Sequence, residues 1–222
     1  MESVIVNTWW RRPRAAAPML ALVMVMALSA GTGCDYFKPA DPEAPSPTSV
    51  IIPNYSQPEN TLETLAKGIE DKGRTNGLSA YAGGLAEGFK AGFDAQTVNR
   101  MEQRGVVVPD EWNLSREEAF YSKFVTLSTV ALNSEYSFRW IRDETQGEDV
   151  IEAELAILHK EYQVFAIRQD GETVYIANGF ATLHFSKVSA NRWAITRWED
   201  RERNDADIEQ GEVSMGQRRL EP

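Results

Sequence analysis

The chain has one cysteine, two histidines and no uncharged apolar run longer than sixteen residues. Each scarcity excludes something. A single sulfur closes no intrachain disulfide, and with His159 and His184 far from it and from each other the sequence shows no three- or four-ligand zinc pattern. The longest apolar run, Ala15–Ala30, falls short of the ~20 residues that a membrane-spanning helix needs. No G-x-S-x-G elbow and no Walker-type glycine loop occurs, so the sequence offers neither a nucleophile elbow nor a phosphate cradle, and no cofactor signature. Positive charge is also short: 23 Lys and Arg stand against 33 Asp and Glu, a net charge of −10. A nucleic-acid partner is therefore excluded, because no Lys/Arg cluster follows Arg14 to neutralise phosphates.

What is present begins at the N-terminus. Arg11, Arg12 and Arg14 form a basic head, the apolar run follows, and Gly31, Thr32 and Gly33 are small residues placed before Cys34. A basic region, a short apolar region and small residues at a cut describe a secretory signal. Cleavage near Ala27–Ser29 would leave Cys34 a free thiol, and failed cleavage would leave a marginal membrane helix. The stretch LSAGTGCDYF resembles the lipobox of bacterial lipoproteins, with Gly31 where such boxes usually carry leucine. By that resemblance Gly33 is the last signal residue and Cys34 carries the lipid. The implied place is the cell envelope, on the inner or outer membrane, with the membrane itself as a partner through the anchor.

Residues 34–57 read as a proline-rich linker. Six of the ten prolines fall between Asp35 and Pro58, and polyproline geometry at ~3.1 Å per residue lets such a segment hold a domain up to roughly 70 Å away. Residues 58–203 have globular composition and suffice for one domain. Residues 204–222 read as a polar, loosely docked tail.

Inside the domain, Leu62, Leu65, Ala66 and Ile69 mark an amphipathic helix capped by Asn60 with Glu63. Leu78, Tyr81, Ala82 and Leu85 mark a second, ending near Glu87, before a short strand through Phe89, Ala91 and Phe93. Ser115 with Glu118 caps a third, carried by Ala119, Phe120, Phe124 and Leu127. Residues 94–109 fit no element. The C-terminal half changes to period two. Tyr136, Phe138 and Trp140 alternate, as do Ile151, Ala153, Leu155 and Ile157, and Gln163, Phe165 and Ile167 lead into the hairpin signal Asp170-Gly171. ETVYIANGFATLHFSKV carries a bend or bulge at Gly179, and a turn at Ser189–Asn191 leads into RWAITRWEDRE. Helices first and strands after predict an α+β fold with helices on one face of a bent antiparallel sheet.

That order resembles the nuclear transport factor two-like (SnoaL-like) superfamily, on the residues PENTLETLAKGIEDKG, YIANGFATLHF and NRWAITRWED. The resemblance implies three helices wrapped by a strongly bent sheet into a cone. It implies either a binding module or an isomerase-, cyclase- or hydrolase-type enzyme with an acid or base inside the cone. His184, Trp198 and Asp200 are the candidate pocket groups, with His159 as a second candidate base. Trp198 and Asp200, two apart, share a strand face, while parity places Trp193 and Ile195 on the other. The runs Arg116–Glu118 and Glu199–Arg203 read as solvated faces. The sequence offers no constellation of acid, base and nucleophile, so the expectation is a non-enzymatic envelope module. Apolar residues on both strand faces then predict a sheet surface that contacts a second copy or an envelope partner.

Overall fold

Spacings of three and four between buried Leu62, Leu65, Ala66 and Ile69 build the first helix, α1 (Pro58–Glu70). The structure, a computed structural model, describes residues 50–70, 76–127, 136–167, 171–203 and 213–221; Gly33 and Cys34 lie outside them. Helix α1 starts two residues before the expected cap: Pro58 occupies the first turn, where its missing N–H costs nothing, and Asn60 bonds back to Ser56 Oγ at 3.1 Å. Helix α2 (Gly77–Gly83) is shorter than its stripe suggests, because Leu85 already belongs to strand β1 (Leu85–Phe93).

Residues 94–109, which fit no element in the sequence, contain helix α3 (Ala95–Gln103). Asp94 caps it by accepting from Thr97 N at 2.6 Å, and Gly105, at φ 78°, ends it. Only Thr97 and Met101 are buried, too few to leave an apolar stripe. After the short strand β2 (Trp112–Asn113), helix α4 (Leu114–Leu127) is capped by Asn113, which accepts from Arg116 N, rather than by Ser115. Its buried face is Glu117, Phe120, Tyr121 and Phe124, while Ala119 is exposed.

The remaining strands are β3 (Tyr136–Arg142), β4 (Val150–Ile151), β5 (Leu155–Ile167), β6 (Thr173–Ser189) and β7 (Arg192–Arg201). The Ile151–Ile157 alternation is therefore two strands, since a turn at Ala153-Glu154 folds β4 back onto β5. The seven strands form one sheet in the order β2-β1-β7-β6-β5-β3, with β4 paired to β5. All pairings are antiparallel except β1 with β7. The result is the α+β cone expected from the sequence, with a mixed sheet and one helix more in the N-terminal half.

Two irregularities set which side chains face inward. Phe185 pairs with Ile195 but His184 pairs with Arg197, so Thr196 is an extra residue in β7, and its Oγ1 donates to the His184 carbonyl at 3.1 Å. This bulge reverses parity. Trp193 and Ile195 consequently share the core with Trp198 and Asp200 instead of facing away from them. A second bulge at Ile176 separates the Val164–Ala177 and Phe165–Tyr175 pairs. Gly179 lies outside it and serves another purpose: a Cβ there would sit 2.5 Å from the Tyr162 hydroxyl oxygen and 2.9 Å from the Arg201 carbonyl oxygen. Gly179→Ala is expected to cost about 1–3 kcal/mol through overpacking, measured as a lowered denaturation midpoint; an unchanged midpoint would show that the sheet yields there freely.

The assigned domain limits move at both ends. Ile51 is buried and the Tyr55 carbonyl accepts from Trp193 N at 2.7 Å, so residues 51–57 belong to the packed body rather than the linker. Residues 213–221 are packed as well. Helix α5 (Met215–Leu220) buries Met215, Gln217, Arg219 and Leu220, so this part of the tail is a core element and not a loosely docked one.

Candidate functional site

The inside of the cone is where the resemblance implies a pocket, and its walls come from elements far apart in sequence. Helix α4 delivers Glu117, α2 delivers Tyr81, β2 delivers Trp112, β5 delivers Tyr162, β7 delivers Trp198 and Asp200, and α5 delivers Arg219. All lie within the buried core.

Glu117 is saturated. Its Oε1 accepts from the Tyr81 hydroxyl at 2.5 Å and from Arg219 Nη2 at 2.8 Å. Its Oε2 accepts from Trp112 Nε1 at 2.7 Å and from Arg219 Nε at 2.9 Å. The Arg219–Glu117 contact is the two-pronged geometry that makes guanidinium–carboxylate pairs strong. The Arg219 guanidinium also lies 4.4 Å from the Trp198 ring centroid and 5.5 Å from that of Phe120. Burial alone would favour loss of its proton, but the Glu117 carboxylate outweighs that effect and holds its pKa above the ordinary value.

Asp200 receives the Tyr162 hydroxyl at 2.9 Å to Oδ2, and its Oδ2 lies 3.5 Å from Arg219 Nη1. Tyr162 in turn accepts from Met215 N at 2.7 Å, which stitches α5 to the sheet. Burial raises the Asp200 pKa to about 6 despite the opposing pull of Arg219 and the donated hydrogen bonds. Tyr81 and Tyr162 are both pushed well above 10, first by burial and then by Glu117 and Asp200 respectively. Two polar atoms in this core have no hydrogen-bond partner among the described residues: Arg219 Nη1 and Trp198 Nε1.

Beside this cluster Phe138, Trp140, Tyr162 and Trp198 pack ring against ring, with Trp140 and Trp198 centroids 5.6 Å apart. The cone is thus filled by aromatics and by the chain's own α5. Two concavities border it. One, of about 340 Å³, sits between the β3–β4 loop and β7, where Arg201 meets Asp143 at 3.3 Å and lies over Phe180. Another, of about 400 Å³, runs between α1 and β3 over Leu62, Ala66 and Trp140.

Of the candidates named from sequence, Trp198 and Asp200 come together in the core. His184 does not join them. It pairs with Arg197 in register, projects from the opposite face of the sheet, and lies 3.8 Å from Glu199. His159 occupies the same outer face, 3.3 Å from Thr182 Oγ1. Asp200 does not pair with Arg201 or Arg203, which bind Asp143 and Glu161. Neither charged run is simply a solvated face: Glu117 is 0% exposed and Glu202, paired with Arg100, is 4% exposed. Glu117, Tyr81, Trp112, Tyr162 and Arg219 were not singled out in the sequence as site residues. Glu117 did carry one faint signal, since it falls three residues before Phe120 and seven before Phe124, on the apolar stripe of its helix. Among the described residues no group of three His, Cys, Asp or Glu could hold a metal ion.

No family model matches the sequence, and no curated protein matches it. Solved structures do. A protein of unknown function from Mycobacterium tuberculosis is 11% identical, with 67% of this chain and 70% of that one covered and a TM-score of 0.44. The protein Aln2 from a Streptomyces species is 7% identical over 65% of this chain and 86% of its own, with a TM-score of 0.43. A conserved protein from Planctomyces limnophilus is 8% identical over 64% and 89%, also at 0.43. Likenesses at this level assign no ligand, reaction or partner to the chain.

Proposed function

We propose that the chain is an envelope lipoprotein, anchored through Cys34, whose cone is a non-enzymatic binding or assembly module. The observation that carries the module reading is the filled cone, in which α5 occupies the interior and Arg219 binds both oxygens of the Glu117 carboxylate. An isomerase, cyclase or hydrolase working in the same place needs an acid or base open to substrate. Here both histidines face outward, and Glu117 and Asp200 are sealed. Surfaces available for contact lie at the two ends of the β5–β6 hairpin, where Val150, Ile151, Leu155 and Val188 are exposed at one end and Ile167 and Tyr175 at the other. A second copy or an envelope protein is the partner this reading assigns to them.

The anchor rests on the sequence: Arg11, Arg12 and Arg14, the apolar run, and the small residues before Cys34. No helix among the described residues is long and apolar enough to cross a membrane. Two or three acyl chains, at about 0.8 kcal/mol per buried methylene, hold a domain firmly to a bilayer. Intact mass of the full chain extracted from membranes is expected to show loss of residues 1–33 and a lipid increment on Cys34, with Cys34→Ala released from the membrane. A mature chain starting elsewhere, without that increment, overturns the anchor.

A further inference from the structure

We propose that the cone is a guanidinium receptor whose resident occupant is Arg219, and that a guanidinium group presented by another molecule takes the same seat when residues 213–221 withdraw. This rests on reading the cone as a binding site rather than a catalytic chamber.

The receptor is built without its occupant. Glu117 is held by Tyr81 and Trp112, from α2 and β2. Asp200 is held by Tyr162, from β5. None of these donors belongs to α5, so Glu117 keeps Tyr81 and Trp112 when α5 leaves; Asp200 also accepts from the Gly216 N–H and the Ser214 side chain, which depart with residues 213–221, and it keeps the Tyr162 hydroxyl. What then remains is a chamber with two buried carboxylates and the faces of Trp198 and Phe120 on its walls.

Such a chamber has a defined chemistry. Two acids in a low-dielectric space require a cation or must take up protons, and aromatic faces favour a weakly hydrated one. The flat fork of a guanidinium matches the open edge of Glu117 with two parallel hydrogen bonds, whereas an ammonium offers one point charge and is harder to dehydrate. A single guanidinium does not exhaust the site. Arg219 Nη1 faces Asp200 Oδ2 at 3.5 Å and makes no hydrogen bond, and the indole N–H of Trp198 is buried and unpaired. A ligand free of the α5 backbone can shift toward Asp200 and close that gap.

The full chain carrying Arg219→Ala tests this, with ethylguanidinium and ethylammonium at equal concentration as probes. Ethylguanidinium is expected to raise the melting temperature and to bind at least about tenfold more tightly than ethylammonium, and Glu117→Gln in the same background should abolish that preference. In the wild-type chain, ethylguanidinium but not ethylammonium is expected to speed hydrogen exchange of amides 213–221. A peptide VSMGQRRLEP that outcompetes ethylguanidinium identifies a second copy's α5 as the source, and one that does not identifies a free guanidinium ligand. A folded Arg219→Ala chain without guanidinium preference overturns the proposal. If that variant does not fold, unchanged exchange of 213–221 in the wild type overturns it. Neither result bears on whether Cys34 is acylated.

Discussion

Glu117→Ala is expected to destabilise the domain by about 3–5 kcal/mol, the range for removing one partner of a buried ion pair. The side chain has no solvent exposure, and its loss strands three donors at once: the Tyr81 hydroxyl, the Trp112 indole N–H and the Arg219 guanidinium. Arg219 cannot shed its charge to adjust, so its only escape is outward, taking α5 with it. That route sets a ceiling on the cost, since undocking α5 sacrifices the burial of Met215 and Leu220 and the Met215–Tyr162 hydrogen bond. Chemical denaturation gives the loss, and hydrogen exchange at 213–221 shows whether the escape is taken. The double variant Glu117→Leu with Arg219→Met should recover most of the stability, because apolar groups of similar volume replace a buried pair at little net cost. If Glu117→Ala costs under about 1 kcal/mol while α5 stays protected, the Glu117–Arg219 pair is not what holds α5 in place.

Much of the scaffold was legible because it follows local periodicity. Leu62, Leu65, Ala66 and Ile69 announced α1, and the alternation through Tyr136–Trp140 and Gln163–Ile167 announced β3 and β5. Helix α3 escaped because its buried side is only Thr97 and Met101, so burial leaves no stripe to count. Counting by twos misplaced Trp193 and Ile195, since one extra residue, Thr196, reverses the faces of β7 and nothing in its identity marks a bulge. Trp198 and Asp200 were placed on one strand face because two-residue spacing on one side of that bulge is reliable. Their partners were not. Glu117 and Arg219 lie 102 residues apart, each beside other charges that read as solvated, and only the folded chain brings them together. The tail looked loose for the same reason: the charge of Arg218 and Arg219 masks Met215 and Leu220, which do the packing.

Acid should stabilise this protein relative to its Asp200→Asn variant, the reverse of the usual behaviour of a buried carboxylate beside an arginine. The ordinary carboxyl value is 3.8 and burial raises it to about 6 in the fold, so between those values the folded chain binds a proton that the unfolded chain does not. Stability then falls as pH rises through that window, and the cost of ionising Asp200 is fully present above it. At about 1.36 kcal/mol per unit the amplitude is about 3 kcal/mol. The charged groups around Asp200 are consistent with that sign: Arg219 is its nearest cation, but Glu117 holds the guanidinium in two hydrogen bonds and leaves only Nη1, at 3.5 Å, for Asp200. Tyr162 stays protonated throughout and donates in either state. Asparagine keeps the size and one acceptor but cannot titrate, so the difference in unfolding free energy between the wild-type chain and Asp200→Asn isolates this one group from every other carboxylate. That difference should grow in favour of the wild type as pH is lowered from about 7 to 4. A difference that stays flat, or shrinks toward acid, would mean that Arg219 holds Asp200 ionised, and that the guanidinium is shared between the two carboxylates rather than committed to Glu117.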